Sequence, residues 1–310
     1  MGTTFSHEVK EELSKQIPKA RHCRIAEFAV LFRHFGEITE ENGQNKLRFF
    51  CEQEMIARKC FTLTEKTFNI ICGLQKNSHG FLMEISEPDS VLDILSAVRM
   101  YDSVTGTCRI STHVNGVLLK TECCRRAFLR GAFLSCGSIS DPGKGYHLEF
   151  VLKSKEEAEQ IADIISGFEL KAGTVLRKKY HVVYLKEGQA IVELLNILGA
   201  HVSMMNLENY RILHEIAGET NRRVNCETAN LLKSVNAANS QIDDIHFIEE
   251  TMGLSVLPPS LREMAEVRLA HPDESLKELG EFLNPPVGKS GVNHRLRKIQ
   301  EFAEKHRGKN

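Results

Sequence analysis

Two segments of the chain, residues 24–35 and 125–136, repeat apolar and small residues at the spacing of a buried α-helix. In the second segment, Gly131 and Ser135 are four residues apart and therefore lie on one face of the helix. Small side chains on that face allow another helix to approach closely. Gly137 is expected to end this helix in a left-handed conformation, which glycine adopts without strain. We predict that the two helices pack against each other at the centre of the fold.

The elements around each of these helices follow the same order. The pattern predicts a helix, a strand, a second helix, a pair of strands and a third helix, and this series occurs twice at an offset of about a hundred residues. After the central helices, the predicted elements cover residues 46–51, 54–67, 69–74, 80–85 and 91–98, and then 146–152, 155–166, 173–177, 180–185 and 190–198. An internal duplication explains this recurrence. The alternative is an ordinary α+β domain whose elements recur by chance.

Helical patterns also flank the duplicated domain, which we assign to residues 19–204. Residues 1–18 are predicted to form an N-terminal amphipathic helix. Residues 205–224 are assigned to a linker rich in arginine and asparagine, a mixture typical of a solvated helix but also able to follow phosphate groups. Further helices are predicted between residues 228 and 252, with a break around Asn239.

The all-α C-terminal domain, residues 225–310, carries the strongest local pattern. A predicted helix over 260–269 is followed by a short helix that begins at Ser275, and a final helix covers 290–303. Ser275 and Glu278 match a capping box. A short helix, a turn and a second helix rich in basic residues are the layout of a helix-turn-helix.

Composition narrows the class of protein. The chain has 310 residues, of which 42% are hydrophobic and 26% charged, as in a globular protein with a real core. Nine cysteines without a C-x-x-C pair indicate a reduced, cytoplasmic protein rather than a disulfide scaffold or a zinc module. The adjacent Cys123 and Cys124 are interpreted as core residues, and no metal or cofactor is expected. No segment approaches the ~18 apolar residues of a membrane span.

Positive charge is concentrated near the C-terminus, although the whole chain has a net charge of −1. Residues 285–310 contain seven lysines and arginines against two glutamates, a net charge of +5. Such local enrichment is the electrostatic signature of a DNA-contacting helix. The alternative is a charged helix that only keeps the C-terminus soluble. The candidate DNA-binding residues are Ser275, Lys277, Lys289, Ser290, Asn293, His294, Arg295, Arg297 and Lys298.

The two central helices resemble those of the LAGLIDADG homing endonuclease fold. In that family, two such helices pack through small residues, a saddle of strands on each half grips the DNA, and an acid just before the final glycine holds the catalytic metal. Phe35 and Cys136 stand at the matching positions here, and neither is a carboxylate. Hydrolysis of a phosphodiester in that fold requires hard oxygen ligands for Mg²⁺. We therefore expect the scaffold without the cleavage, unless Glu37 or Asp141, just past the helix ends, replaces the missing acids.

A degenerate two-repeat LAGLIDADG-like core followed by a helix-turn-helix resembles the WhiA family. The resemblance covers most of the chain and rests on residues 5–13, 130–134, 137–142, 222–230 and 275–280. It implies an α+β fold with two central packed helices and strand saddles, followed by an all-α domain. It also implies a bacterial DNA-binding protein. In actinobacteria the family regulates transcription during sporulation, and in firmicutes it is linked to cell division and chromosome segregation.

Three functions are compatible with these patterns. The first is a non-catalytic regulator that binds double-stranded DNA and is associated with the nucleoid. The second is a protein-interaction scaffold at the nucleoid, whose core binds a protein partner. The third is an active metal-dependent endonuclease, against which Phe35 and Cys136 argue. The basic C-terminus argues against a pure scaffold, so we favour the first function and leave the core available for a partner.

Overall fold

The computed structural model describes residues 3–41, 43–102 and 104–307. It divides into two compact units, with the boundary between His214 and Glu215. The ends of the segments predicted at 1–18 and 225–310, namely residues 1–2 and 308–310, lie outside the described residues.

The first unit contains helices and short antiparallel sheets. Its helices are α1 Phe5–Lys15, α2 Arg21–Phe35, α3 Glu54–Phe68, α4 Pro88–Ala97, α5 Glu122–Cys136, α6 Lys155–Ser166 and α7 Gly188–Leu198. Its strands are β1 Gly36–Glu41, β2 Gln44–Cys51, β3 Leu74–Asn77, β4 Gly80–Ile85, β5 Tyr101–Asp102, β6 Thr107–Cys108, β7 Gly137–Ile139, β8 Leu148–Leu152, β9 Gly173–Arg177 and β10 Tyr180–Leu185.

The two halves of this unit have the same topology. One four-stranded sheet has the order β1-β2-β4-β3 and the other the order β7-β8-β10-β9, with all neighbours antiparallel. The core repeats as well, because Phe32 of α2 packs on Phe49 of β2 and Phe133 of α5 packs on Phe150 of β8. Both members of the second pair lie 101 positions after those of the first. The predicted two-repeat architecture is confirmed.

The central helices α2 and α5 pack closely, as predicted, and Gly131 lies at their contact. A Cβ atom at this position would overlap the Cγ1 atom of Val30 and lie 2.9 Å from the carbonyl oxygen of Glu27. Both neighbours belong to α2, so the absence of a side chain at Gly131 is what allows the two backbones to come together.

The expected left-handed cap at Gly137 is wrong. Gly137 has a φ of −83° and Gly36 a φ of −93°, and each continues directly into a strand. Glycine is needed there for space, because a Cβ at Gly137 would lie 2.5 Å from Cδ2 of Phe133 and one at Gly36 would overlap the ring of Phe32.

Strand boundaries also differ from the prediction. The pattern does not predict β1 and β7, because each follows its central helix without an intervening turn. The strand predicted over 69–74 is wrong: Asn69 ends α3 in a left-handed conformation with φ 58°, and β3 begins only at Leu74. The apolar residues between them resemble a strand in sequence, yet Ile71 is 86% exposed.

A buried group of charges lies between the central helices and α3. Glu27 is fully buried, and its carboxylate lies 2.7 Å from Nζ of Lys59 and 3.3 Å from Nη1 of Arg130. Lys59 also donates a hydrogen bond of 3.1 Å to the carbonyl of Leu13. Burial lowers the pKa of Lys59, and the neighbouring Glu27 charge opposes that effect. Each buried charge therefore depends on the other for its stability.

A long helix, α8 His201–Met252, crosses the boundary between the units and leads to α9 Pro259–Ala270, α10 Leu276–Glu281 and α11 Lys289–Arg307. The predicted break around Asn239 is wrong. No proline interrupts the 52 residues of α8, and an asparagine followed by a serine costs an exposed helix only tenths of a kcal/mol. The predicted linker, 205–224, lies inside this helix.

The second unit has its own core, formed by the C-terminal end of α8 together with α9, α10 and α11. Its buried residues are Ile245, Ile248, Leu257, Met264, Ala265, Leu279, Leu283, Val292, Leu296, Ile299 and Ala303. Helical spacing places Val292, Leu296, Ile299 and Ala303 on one face of α11, and all four are buried.

Candidate nucleic-acid interface

The turn between α10 and α11 is fixed by contact between Gly280 and Val287. The backbone N–H of Val287 donates a hydrogen bond of 2.9 Å to the carbonyl of Gly280. A Cβ at Gly280 would overlap the carbonyl oxygen of Val287 and lie 3.2 Å from Cγ2 of Val292, so no larger residue fits without movement. Leu279 and Val292 join the two helices through the core. The predicted helix-turn-helix is therefore present.

The start of α10 is held by the capping box that the sequence predicts. The Ser275 hydroxyl accepts a hydrogen bond of 3.4 Å from the Glu278 N–H, and the Glu278 carboxylate accepts one of 3.0 Å from the Ser275 N–H. These bonds to Ser275 lower the pKa of Glu278. Just before the helix, the buried Arg268 donates to the carbonyl of Glu274 at 2.8 Å.

Helix α11 presents a polar face opposite the core. Ser290, His294 and Arg297 are separated by four and three residues, so they share this face, and all three are exposed. Arg297 is 77% exposed and lies 3.2 Å from Glu301. An exposed pair of this kind contributes little, so Arg297 is available for another anion. Lys298, also exposed, flanks the same face.

Four candidates come together in one groove of about 620 Å³ within the second unit. Ser275 and Lys277 line it from α10, and Lys289 and Asn293 line it from the first turns of α11. Its other wall is part of α8 and includes Lys233. Sequence reasoning does not find Lys233, because no local pattern links it to residues more than forty positions away.

Arg295, one of the candidate DNA-binding residues, is mostly covered by the rest of the unit. Its side chain is only 22% exposed, lies 3.6 Å from the carboxylate of Glu263 and donates to the carbonyl of Ser260 at 3.4 Å. Helical spacing puts Arg295 one residue before the buried Leu296, at the edge where α11 packs on α9. It therefore serves the packing of the unit more than its outer surface.

Ion pairs in the fold leave less of the positive charge near the C-terminus accessible than the sequence suggests. Arg307 lies 2.6 Å from the carboxylate of Asp244 and stacks on Phe247. Burial raises the pKa of Asp244, although the Arg307 charge opposes that shift. Arg295 is paired as described, and Lys309 lies outside the described residues. The accessible positive charge is therefore concentrated on Lys289, Arg297, Lys298 and Lys305.

The C-terminal ends of the central helices carry Phe35 and Cys136, as the sequence indicates. Beside them the buried Glu157 of α6 is bound by Arg33 and lies 2.7 Å from Nε2 of His34. Burial alone would raise the pKa of Glu157, but the bonds and charges of His34 and Arg33 outweigh burial and hold it below the usual value. This carboxylate is therefore already occupied by Arg33 and His34 of the chain itself.

The acids that could substitute for Phe35 and Cys136 have other positions. Glu37 is exposed on β1, and Asp141 accepts a hydrogen bond of 2.9 Å from the Gly143 N–H in a turn. Among the described residues, no group of three or more histidine, cysteine, aspartate or glutamate ligands converges at these helix ends.

The outer faces of the two sheets carry paired charges. Arg48 on β2 lies 2.7 Å from Glu84 on β4 and 3.1 Å from Glu41 on β1. In the second sheet, Arg177 lies 3.3 Å from Glu149. Arg48, held by two glutamates, is therefore less available to a polyanion than Arg297 on the exposed face of α11.

The fold defines a two-repeat LAGLIDADG-like protein with a C-terminal helix-turn-helix. Comparison with known families agrees with this class. Residues 28–112 and 125–217 match the model of the "WhiA LAGLIDADG-like domain", and residues 220–303 match that of the "WhiA C-terminal HTH domain". The chain belongs to the WhiA family.

Relatives resemble the chain over nearly its full length. A "probable cell division protein WhiA" from Lachnoclostridium phytofermentans is 47% identical over 97% of this chain and 98% of its own, and one from Alkaliphilus oremlandii is 47% identical over 97% of each. The crystal structure of full-length DUF199/WhiA from Thermatoga maritima superposes with a TM-score of 0.59 at 26% identity, covering 98% of this chain and 99% of that one. In the part of the chain that the structure describes, no helix combines the length and apolarity needed to cross a membrane.

Proposed function

We propose that this chain is a non-catalytic DNA-binding protein that acts in cell division. The observation that carries the proposal is the exposed basic face of α11, presented by a helix-turn-helix whose turn is fixed at Gly280. The name of the relatives, probable cell division protein, supports the cellular role. Association with the nucleoid follows from DNA as the partner.

In this proposal α11 enters the major groove of double-stranded DNA. Asn293, His294 and Arg297 lie in its first half and reach base edges, where asparagine pairs best with adenine and arginine with guanine. Lys298 contacts the backbone. Ser275, Lys277, Lys289 and Ser290, exposed at the starts of α10 and α11, hold phosphate oxygens and set the register.

A salt titration of DNA affinity tests this interface. Replacing Arg297 and Lys298 together by alanine should weaken binding of a genomic duplex strongly and reduce the slope of log affinity against log salt by about 1, for the lost phosphate contact of Lys298. Lys305→Ala is a matched control, because it removes an exposed positive charge from the same helix about 12 Å further along. Equal loss in the control and the double variant would mean that charge alone, and not this face, binds DNA.

The absence of cleavage is part of the proposal. It is supported by the chemistry of Phe35 and Cys136, since a phenyl ring does not ligate Mg²⁺ and a thiol suits softer metals. It is also supported by Glu157, whose carboxylate is bound by Arg33 and His34. Supercoiled plasmid incubated with the purified chain and Mg²⁺ or Mn²⁺ should remain uncut, and nicking that follows the protein through purification would refute this part.

A protein partner for the LAGLIDADG-like core is a second candidate, favoured by the paired charges on the sheets. Because Arg48 is held by both Glu84 and Glu41, its sheet face suits a mixed polar surface better than a phosphate backbone. Photo-crosslinking of the full chain to its DNA tests this view. We expect crosslinks from α11 and none from β2 or β8. Crosslinks from the sheets would instead indicate that the core itself binds DNA.

Regulation of transcription and chromosome segregation are two ways in which such a protein acts in cell division. Mapping the bound genomic sites separates them, because a regulator occupies promoters whose transcripts change when Arg297 and Lys298 are replaced. A segregation role predicts the same sites without that change in transcripts.

A further inference from the structure

A cluster of three cysteines and one histidine joins the first turns of α2 and α5. His22 and Cys23 come from α2, and Cys123 and Cys124 come from α5. Their four ligand atoms all lie within 4.8 Å of one another. Nδ1 of His22 is 3.1 Å from Sγ of Cys124 and 3.4 Å from Sγ of Cys23.

The geometry points to a structural zinc site at this cluster. Zinc binds cysteine sulfur at about 2.3 Å and histidine nitrogen at about 2.0–2.1 Å, so the ligands of a tetrahedral S₃N site lie about 3.5–3.8 Å apart. The observed separations require shifts of only about an ångström. Three thiolates and an imidazole suit Zn²⁺ and exclude Mg²⁺, which prefers oxygen. Four protein ligands leave no open position, as in structural rather than catalytic zinc sites.

The position of the cluster in the fold supports a metal-binding site rather than a chance proximity of thiols. His22 and Cys123 are 101 positions apart, and so are Cys23 and Cys124, which is also the offset between Gly36 and Gly137. Each repeat therefore contributes the same two consecutive positions at the start of its central helix. The site is complete only when both halves are packed together, so zinc would hold the repeats together at the end of the helices opposite Phe35 and Cys136.

The local environment suits bound thiolates. Both ligand pairs lie in the first turn of a helix, where the backbone dipoles favour negative charge. The Thr121 hydroxyl lies 3.3 Å from Sγ of Cys123 and can donate to a zinc-bound sulfur. Cys23 and Cys124 are buried, while His22 and Cys123 are exposed, which gives the metal an entry path from solvent. On binding, the three thiols lose their protons to solvent.

Because the chain has no C-x-x-C pair, its sequence alone does not reveal this site. Zinc ligands normally recur within a few residues, and here two adjacent pairs a hundred residues apart supply them. The interpretation of Cys123 and Cys124 as core residues accounts for Cys124, which is buried, but not for Cys123, which is exposed.

Metal analysis of the full chain, purified under reducing conditions without chelator, tests the site. We expect one zinc ion per chain. After removal of the metal, added CoCl₂ should give the intense visible bands of tetrahedral Co²⁺ together with thiolate charge-transfer absorption, and ZnCl₂ should displace it. MgCl₂ should do neither. A chain that yields no zinc and no cobalt bands, or one in which a disulfide joins two of these cysteines under the same reducing conditions, would overturn the proposal.

Substitutions at exposed ligands separate a zinc site from packing. Cys123→Ser and His22→Ala should each reduce bound zinc to near background, and chelation should then no longer lower the melting temperature as it does in the parent. Cys226→Ser is the matched control, since it removes an exposed thiol from α8 and should leave both readouts unchanged. His22→Cys should retain zinc as a four-thiolate site. If Cys123→Ser retained a full zinc ion, or if Cys226→Ser lost it, the assignment would be wrong.

Discussion

Gly131 offers the most direct test of how closely the two central helices pack. An alanine there would place its Cβ against Cγ1 of Val30 and 2.9 Å from the Glu27 carbonyl oxygen. An isolated helix would gain about 1 kcal/mol from the change. Neither neighbour moves easily, because Val30 is β-branched and fully buried and the second contact is with backbone. Overpacking of this kind costs about 1–3 kcal/mol.

We take the upper end of that cost, since a backbone contact is involved, and expect a net loss of about 2 kcal/mol. For a unit of roughly 200 residues this corresponds to a fall in melting temperature of about 4–8 °C. Calorimetry of the full chain, together with a lower urea midpoint at an unchanged denaturant slope, would measure it. Gly218→Ala is the control, because no atom of the surroundings lies within 4 Å of a Cβ at that helical position.

The control should be neutral or slightly stabilising. Combining Gly131→Ala with Val30→Ala should restore part of the loss, which a double-mutant cycle would report as coupling of about 0.5–2 kcal/mol. A Gly131→Ala chain that melts at or above the parent temperature would show that the helices do not pack as closely as described.

Three further predictions concern charged residues. Glu27→Gln should lower the free energy of unfolding by about 3–5 kcal/mol, because it leaves Lys59 buried without its partner. A loss of less than about 1 kcal/mol in a urea titration would contradict the description of Glu27 and Lys59 as a buried ion pair. The pKa of Glu157 is held below its usual value in the folded chain, so its contribution is complete above pH 4.5 and is lost as pH falls through the lower folded value. Glu157→Gln should therefore flatten the acid side of the stability profile, and an unchanged acid limb would refute this. Arg295→Ala should lower the melting temperature of the second unit by about 2–4 °C, while Arg297→Ala changes it by less than about 1 °C but weakens DNA binding more; similar effects on both readouts would contradict their different placement.

Local pattern predicts the elements of this fold well where one helix face or one turn decides them. The close contact at Gly131 follows from the spacing of small residues, and the capping box at Ser275 follows from two residue types three positions apart. The end of α5 is different. Gly137 is a glycine because the ring of Phe133 occupies the space for a Cβ, a fact of packing that the sequence does not record.

In the candidate interface, too, local sequence predicts some features, and contacts between distant residues decide others. Exposure of Arg297 follows from its position opposite the buried face of α11, whereas the pairing of Arg295 depends on Glu263, more than thirty residues earlier on another helix. Arg307 and Asp244, which also pair, are even further apart in the sequence. Such contacts decide how much of the positive charge reaches solvent, so counting charges along the chain overestimates the charge of the surface.

The burial of Glu157 has a consequence for the chemistry open to the helix ends that carry Phe35 and Cys136. Burial, together with the charge of Glu157, raises the pKa of the Cys136 thiol to about 12, so a negative charge at that helix end is already disfavoured. Placing acids at positions 35 and 136 would add two anions beside Glu157, whose carboxylate is already bound by Arg33 and His34. Nuclease chemistry at these helix ends would therefore need several simultaneous changes, each unfavourable by itself, so single substitutions would not produce it.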